Sequence, residues 1–139
     1  MQDRPTIVVL CGSTRFYDAF QKANYDLTLQ GKIVLSVGFY PHSSDAAGHD
    51  SEQKVMLDEL HLRKIDLADE VFVLNVRSSR CECCKRVYYG SRLAICVCGN
   101  KDVSKIQEFG YIGKSTANEI EYATKKGKKI TYLVPPKDR

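Results

Sequence analysis

Residues 6–14 have the sequence Thr-Ile-Val-Val-Leu-Cys-Gly-Ser-Thr, an apolar, β-branched run that stops at a glycine. Such a run, without alternating polar residues, is typical of a strand covered on both faces of a parallel sheet. Gly31 stands where a following helix would end. Between this glycine turn and Gly31, apolar residues recur at helical spacing. They are Phe16, Phe20, Ala23 and Leu27. The sequence thus predicts a strand that leads through a glycine turn into a helix.

The alternation of strand and helix continues along the chain. Two further apolar runs, 33–37 and 71–76, predict buried strands, and residues 130–133 predict a fourth. Helices are expected over 50–67 and 115–127. Strands that alternate with helices form right-handed βαβ units and a parallel sheet. We therefore predict an α/β fold, a flavodoxin-like open parallel sheet with helices on both faces, whose ligands bind at the carboxyl ends of the strands.

Size and composition indicate one domain. The chain has 139 residues, of which 43% are hydrophobic and 27% charged, as in ordinary globular proteins. No apolar run approaches the ~20 residues of a membrane helix, and the first residues lack the pattern of a signal peptide. We expect a single domain over 1–139 that stays in the cytoplasm and does not contact a membrane.

Residues 77–109 interrupt the alternation and carry the excess charge. They hold seven Lys and Arg residues against three acidic ones, which accounts for the net charge of +4. We predict an inserted, Cys-rich hairpin. A basic surface can bind phosphates or nucleic acid, but most basic loops are simply solvated, so nucleic acid is not the partner we expect.

Five of the six cysteines lie in this insertion. Clustered thiols in a reducing cytosol more often bind metal than form disulfides. Four thiolates would close a tetrahedral Zn²⁺ site to water, so any zinc here is expected to be structural. Disulfides and free thiols are the alternatives. The candidate ligands are Cys81, Cys84, Cys96 and Cys98, with Cys83 as an alternative to Cys84.

The turn after the first strand is a candidate anion site. Gly12 lets the backbone approach a ligand, and the amides of a helix N-terminus attract a negative charge. Ser13 and Thr14 add hydroxyl donors, and Arg15 can donate two parallel hydrogen bonds to a phosphate. The alternative is a tight turn with a capping serine, which needs no ligand.

The last helix offers a candidate catalytic carboxylate. Gly113 leads into a first turn that contains Ser115 and Thr116, with Glu119 following. A carboxylate there can act on a ligand at the strand ends. The structural alternative is a capping box, in which Thr116 and Glu119 bond only to the backbone of their own helix.

Three motifs together resemble the nucleoside 2-deoxyribosyltransferase superfamily. They are Cys-Gly-Ser-x-Arg after the first strand, Lys-Ile-Asp-Leu-Ala-Asp-Glu-Val over 64–71, and the Ser-Thr-x-x-Glu-Ile-x-Tyr-Ala helix over 115–123. The first is most similar to the hydrolytic branch, the 2'-deoxynucleoside 5'-phosphate N-hydrolases. The resemblance covers nearly the whole chain except 77–109.

The resemblance implies a mechanism. Glu119 matches the family's nucleophile, which attacks the anomeric carbon of the sugar and displaces the base. The resulting glycosyl ester is released by water in a hydrolase or by a second base in a transferase. The phosphate site of the hydrolytic branch matches Gly12, Ser13 and Arg15, with Ser115 as a helper. Relatives assemble as oligomers, which implies at least a homodimer.

The chain departs from the family before the third strand. Relatives commonly carry an acidic residue at the position of His61. Asp66 is our first choice for a second catalytic carboxylate, with Asp58 and Asp69 as alternatives; an exposed carboxylate at a helix end is the structural interpretation of Asp66. His61 lies on the apolar stripe, which favours a buried, satisfied histidine.

A base pocket is expected from the loop over 38–49. Phe39 and Tyr40 can stack on a nucleobase, and His42 can donate to it or help to protonate the leaving nitrogen. An aromatic pair that anchors the loop is the alternative interpretation.

The leading hypothesis is an enzyme that cleaves the N-glycosidic bond of a nucleoside or nucleoside 5'-monophosphate, as an N-hydrolase or a deoxyribosyltransferase. No cofactor is expected for catalysis. A second hypothesis is a nucleotide-binding or sensing module without turnover. A third assigns the function to the insertion, as a zinc-stabilised contact with nucleic acid or protein.

Overall fold

The computed structural model describes residues 4–38 and 51–135. Strands and helices alternate through most of this part of the chain, as the sequence predicts. One segment between the third strand and the last helix breaks the alternation. The elements follow in the order β1 (Ile7–Cys11), α1 (Tyr17–Leu29), β2 (Ile33–Leu35), α2 (Ser51–Leu67), β3 (Glu70–Val73), β4 (Arg77–Cys81), β5 (Val87–Tyr88), β6 (Ile106–Gly110), α3 (Lys114–Lys125) and β7 (Lys129–Tyr132).

Four strands form a parallel sheet in the order β2-β1-β3-β7. Val9 of β1 pairs with Leu35 of β2 and with Val71 of β3, and Val71 pairs with Ile130 of β7. The run at 6–14 therefore supplies a central strand, which explains why it lacks polar alternation. The α/β class and the parallel sheet are confirmed.

Helices cover both faces of this sheet. On one face Val9 and Val71 pack with Ile65 of α2 and Ala123 of α3. On the other face the core is formed by Val8, Leu10 and Leu74 with Phe20 and Ala23 of α1. Successive residues of β1 thus point into two separate apolar cores, since side chains alternate along a strand.

Some strands are shorter than the sequence predicts. The third strand was expected over 71–76, but β3 ends at Val73. The reason is Asn75, whose side chain accepts a hydrogen bond from the backbone N–H of Val134 at 2.9 Å and donates one to its carbonyl at 2.7 Å. The side chain of Asn75 thus replaces the backbone hydrogen bonds that would continue the pairing of the strands. The strand expected over 33–37 likewise ends at Leu35.

The insertion is a three-stranded antiparallel sheet in the order β5-β4-β6, and not a single hairpin. Its central strand β4 pairs with β6 over its whole length and with β5 through Ser79 and Arg80. Strand β4 is therefore paired along both of its edges, with β5 on one side and β6 on the other. Within the described residues, no helix is both long enough and apolar enough to cross a membrane.

Candidate functional site

A cavity of about 370 Å³ opens at the carboxyl ends of β1 and β2. Three segments line most of it: 12–14 after β1, one face of α2 between Lys54 and Lys64, and the start of α3 between Tyr111 and Glu119. Its volume lies within the ~300–1,000 Å³ range of small-molecule sites. Two motifs from distant parts of the sequence therefore meet in one place, where the fold predicts a ligand.

Glu119 lies in the wall of this cavity and is largely buried. Its side chain is 13% exposed, and its Oε1 lies 4.0 Å from Nε2 of His61. Burial is the main cause that raises the pKa of Glu119 to about 7; the thiol of Cys11 opposes this shift by hydrogen bonding, and the charge of Asp58 adds to it. With this pKa, the protonated and the ionised forms of Glu119 are both populated near neutral pH.

The capping-box interpretation of Glu119 does not hold. The N-cap of α3 is Gly113, and among the described residues no side-chain hydrogen bond caps this helix. Thr116 is buried and lies inside the first turn, so it is not at the N-cap position that a capping box with Glu119 requires. The carboxylate of Glu119 is left for other partners, and the uncapped first turn of α3 forms part of the cavity wall.

The predicted anion loop reaches the cavity with three of its four residues. Gly12, Ser13 and Thr14 line it, whereas Arg15 does not. Gly12 also has a packing role, because a Cβ at this position would lie 3.1 Å from both Cβ and the carbonyl oxygen of Leu74. A larger residue here would therefore require Leu74 to shift by a few tenths of an ångström, whether or not a ligand binds.

Arg15 is held at the junction between the β1–α1 loop and the insertion. Its Nε donates a hydrogen bond to Oγ of Ser13 at 3.0 Å. Its guanidinium lies 3.9 Å from the ring centre of Tyr89, and Tyr89 contacts Tyr111 edge to face with ring centres 4.9 Å apart. Because Tyr111 lines the cavity, this chain of contacts joins the insertion to the site.

The cavity also holds cations that the sequence analysis missed. Lys54 donates to Oδ2 of Asp58 at 2.8 Å and to Oγ of Ser115 at 3.3 Å. Lys64 lies on the same wall and donates to the carbonyl of Ser36 at 2.6 Å. Lys54, Asp58 and Lys64 share one face of α2, a periodicity present in the sequence. The basic groups suit an anionic ligand.

Asp66 is not brought to the cavity. It accepts a hydrogen bond from the hydroxyl of Tyr122 at 2.7 Å, and this bond is the main cause that lowers its pKa. Arg63 lies 3.4 Å away. Asp58, one of the alternatives, does line the cavity. The third alternative, Asp69, is engaged with Arg4 in a two-point ion pair.

His61 is buried beside Glu119. Its side chain is 8% exposed, and burial is the main cause that lowers its pKa to about 4. Its Nε2 lies 3.5 Å from Sγ of Cys11, at the end of β1. The expectation of a buried histidine is confirmed, and it stands in contact with the candidate site. The predicted base-pocket residues Phe39, Tyr40 and His42 lie outside the described residues.

Four cysteines of the insertion meet in a second cluster. The sulfur of Cys81 lies 3.7 Å from that of Cys98, and the sulfur of Cys84 lies 3.4 Å from that of Cys96. All four sulfurs lie within 4.8 Å of one another, whereas Cys83 is exposed and outside the group. The cluster can hold a metal ion, and it contains the four predicted ligands.

The geometry of this cluster fits a tetrahedral metal. A Zn–S bond of about 2.3 Å places two thiolates about 3.8 Å apart, close to the observed separations. Lys85 and Gly99, which each follow the second cysteine of a pair, have φ values of 67° and 97°. Such turns aim backbone N–H groups at the sulfurs. The N–H of Cys84 is the main cause that lowers the pKa of Cys81 to about 6, which favours the thiolate that a metal requires.

No protein-family model matches the chain, and no curated protein matches it either.

Proposed function

We propose that this protein cleaves the N-glycosidic bond of a deoxynucleoside or of its 5'-monophosphate, with Glu119 as the nucleophile. The observation that carries the proposal is the position of Glu119. Its carboxyl group is largely buried in the wall of a cavity at the strand ends and is not used to cap its own helix. The parallel strand order is consistent with the flavodoxin-like sheet that we predict from the sequence.

The cavity offers groups for the phosphorylated end of such a substrate. The uncapped start of α3 carries the positive end of the helix dipole. Ser115 lies in its first turn, and Lys54 lies 3.3 Å from the Ser115 hydroxyl. Gly12 and Ser13 face these groups from the β1–α1 loop. This arrangement favours a monophosphate over a free nucleoside.

The chemistry would follow the logic of a retaining glycosidase. One oxygen of the Glu119 carboxylate bonds to the anomeric carbon as the bond from this carbon to the base nitrogen breaks. The base leaves with the electron pair of that bond and takes up a proton. A water molecule then attacks the anomeric carbon of the glycosyl ester and gives up one proton, which balances the proton taken up by the base. This step frees the sugar phosphate and restores the carboxylate. The carboxylate is suited to this role because the transition state carries positive charge at the carbon.

The test is a base-release assay on a panel of deoxynucleosides and their 5'-monophosphates, with free base measured by chromatography. We expect Glu119→Gln to lower the rate by at least about 10³-fold, since the covalent step would lose its nucleophile. Glu121→Gln is the matched control, because Glu121 lies two residues further along the same helix and pairs with Lys125 on the exposed side. It should keep the wild-type rate.

Two results would overturn the proposal. Base release that survives Glu119→Gln would remove Glu119 as nucleophile. Monophosphate binding without any base release would favour the non-catalytic nucleotide-binding module.

We further propose that the metal of the four-cysteine cluster is zinc. Sulfur ligands in tetrahedral arrangement are typical of structural zinc sites. Zinc would fix the insertion, and four thiolates leave no position for water, so it would take no part in the cleavage.

A further inference from the structure

Three different metal-binding groups converge at the inner end of the cavity. Sγ of Cys11, Nε2 of His61 and a carboxylate oxygen of Glu119 all lie within 4.8 Å of one another. The sulfur and the nitrogen are 3.5 Å apart, and the nitrogen and Oε1 of Glu119 are 4.0 Å apart. Bond lengths to tetrahedral zinc place such ligand atoms about 3.4–3.6 Å apart. Small side-chain shifts would bring the three groups to that geometry.

The environment of His61 supports a ligand role. The ring has a hydrogen bond with the backbone of Leu10, in addition to its contact with Cys11. Histidine ligands of metals usually donate their second ring N–H to a carbonyl or carboxylate, which fixes the ring orientation. The ring is therefore held with Nε2 directed at the thiol and the carboxyl group.

The site is closed on one side and open on the other. Cys11 ends β1 in the core, whereas His61 and Glu119 line the cavity. An ion held by three protein ligands would thus keep a fourth position for water, as open zinc sites do. Of the other charged groups that line the cavity, Lys54, Lys64 and Lys114 oppose a cation and Asp58 attracts it.

We propose that Cys11, His61 and Glu119 bind a zinc-type divalent cation, separately from the four cysteines, and that this ion prevents Glu119 from acting as a nucleophile. The sulfur and nitrogen ligands select zinc or a similar transition metal over Mg²⁺ or Ca²⁺. Binding releases the thiol proton of Cys11 and any proton on Glu119, and neutral His61 contributes only its lone pair. The blocking role rests on the proposed function, whereas the metal site does not.

The first test is the stoichiometry of metal binding. Wild-type protein titrated with Co²⁺ or Zn²⁺ should bind a second equivalent beyond that of the four cysteines. His61→Gln should lower the affinity for this second metal ion by more than the ~10–100-fold that is caused by loss of an outer-shell partner. Asp58→Asn is the matched control, because it removes a carboxylate of the same cavity that lies outside the group of three. It should still bind the second equivalent and should lower the affinity for it far less than His61→Gln does.

Cys11→Ser provides a second variant in case His61→Gln impairs folding. With Co²⁺, loss of the sulfur ligand should remove the part of the sulfur-to-cobalt absorption that belongs to the second equivalent. A wild-type protein that binds a single equivalent, or a second equivalent unchanged in both variants, would overturn the metal site.

The second test is base release with and without added Zn²⁺. We expect inhibition that follows occupancy of the second equivalent. Zinc that fills this equivalent without changing the rate would overturn the blocking role. If zinc binds but no base is released under any condition, the metal site stands and the proposed function fails.

Discussion

The two cysteine-containing clusters of this molecule are built in opposite ways. The group of Cys11, His61 and Glu119 is attached to a parallel sheet with an apolar core on each face. In the insertion over 77–109 the buried residues are Ser78, Ser79, Cys81 and Cys96. The sheet therefore holds its polar groups by packing, whereas in the insertion the cysteines themselves take the place of a core.

The same contrast appears in the thiol pKa values. Burial in the apolar end of β1 raises the pKa of Cys11 well above its usual range. In the insertion the directions differ among the four thiols. The pKa values of Cys81 and Cys96 are lowered, mainly by backbone N–H groups, whereas those of Cys84 and Cys98 are raised, with the neighbouring thiol of Cys96 as the first cause that raises each. Burial therefore favours the neutral thiol of Cys11. The ion that we propose for this site would have to displace that proton.

Loss of a metal ligand should have the largest effect and should separate the two regions. We expect Cys96→Ser to abolish metal binding by the cluster and to unfold the insertion, because structural zinc contributes about 10–16 kcal/mol to folding in small domains. The parallel sheet should remain folded, since its two apolar cores do not include the insertion. Hydrogen exchange resolved by region, together with metal analysis, measures both outcomes.

Cys83→Ser is the matched control for this variant. Cys83 lies between two proposed ligands but is exposed and outside the cluster. It should keep both the metal and the exchange protection. A Cys96→Ser protein in which the insertion stays protected would show that the metal does not hold this region.

A second prediction concerns the cost of burying Glu119. Its pKa is raised to about 7 from 4.5, so the folded state keeps a proton that the unfolded chain releases between these pH values. Stability is therefore lost as pH rises through this window. Glu119→Gln removes the loss, and we expect it to stabilise the protein at pH 8 by up to about 3 kcal/mol, with little gain at pH 4.5.

Denaturant unfolding of wild type and Glu119→Gln at several pH values measures this difference. The exposed Glu121→Gln should shift stability equally at both ends of the window. A Glu119→Gln protein with the same gain at pH 4.5 and pH 8 would mean that Glu119 is not buried with a proton. The variant expected to lose turnover would thus be the more stable one.

The sheet could be predicted from the sequence because buried parallel strands lack polar alternation, as at 6–14. The strand ends could not, since Asn75 replaces the ladder by a side-chain bond to Val134 that no local pattern announces. Glu119 was predicted because the start of a helix and a family resemblance agree on it, and the structure places it in the wall of the cavity. The group of four cysteines was predicted from their clustering in the sequence, although only the structure shows that Cys84 and not Cys83 belongs to it.

The choice of Asp66 shows what the sequence lacks. Asp66 lies about 140° round the helix from His61, whereas Asp58 lies about 60° away on the cavity side. Helix α2 does not reveal which face is buried, because apolar side chains are exposed along it at Val55, Met56, Leu60 and Leu67. The sequence does not show how α2 is rotated about its own axis, because tertiary packing sets this rotation.

The smallest predicted effect lies where the two regions touch. Tyr89 belongs to the insertion, and its ring stacks on Arg15 of the β1–α1 loop. An exposed cation–π contact contributes about 0.5–1 kcal/mol, and Arg15 in turn donates a hydrogen bond to Ser13 of the cavity wall. If the protein acts on a monophosphate as proposed, Tyr89→Leu should therefore raise its KM by at most about two- to fivefold. Metal content and kcat should stay unchanged, because Tyr89 is neither in the cysteine cluster nor in the cavity wall.

Tyr25→Leu provides the comparison for this variant, since Tyr25 is an exposed tyrosine of α1 outside the cavity wall. It should leave the KM unaltered. If Tyr89→Leu changes the KM no more than Tyr25→Leu does, the insertion and the sheet act independently. If it lowers kcat and the KM stays constant, Tyr89 acts on the bond-breaking step and not through the position of Arg15, because a contact that orients only the binding loop should affect ground-state and transition-state binding equally.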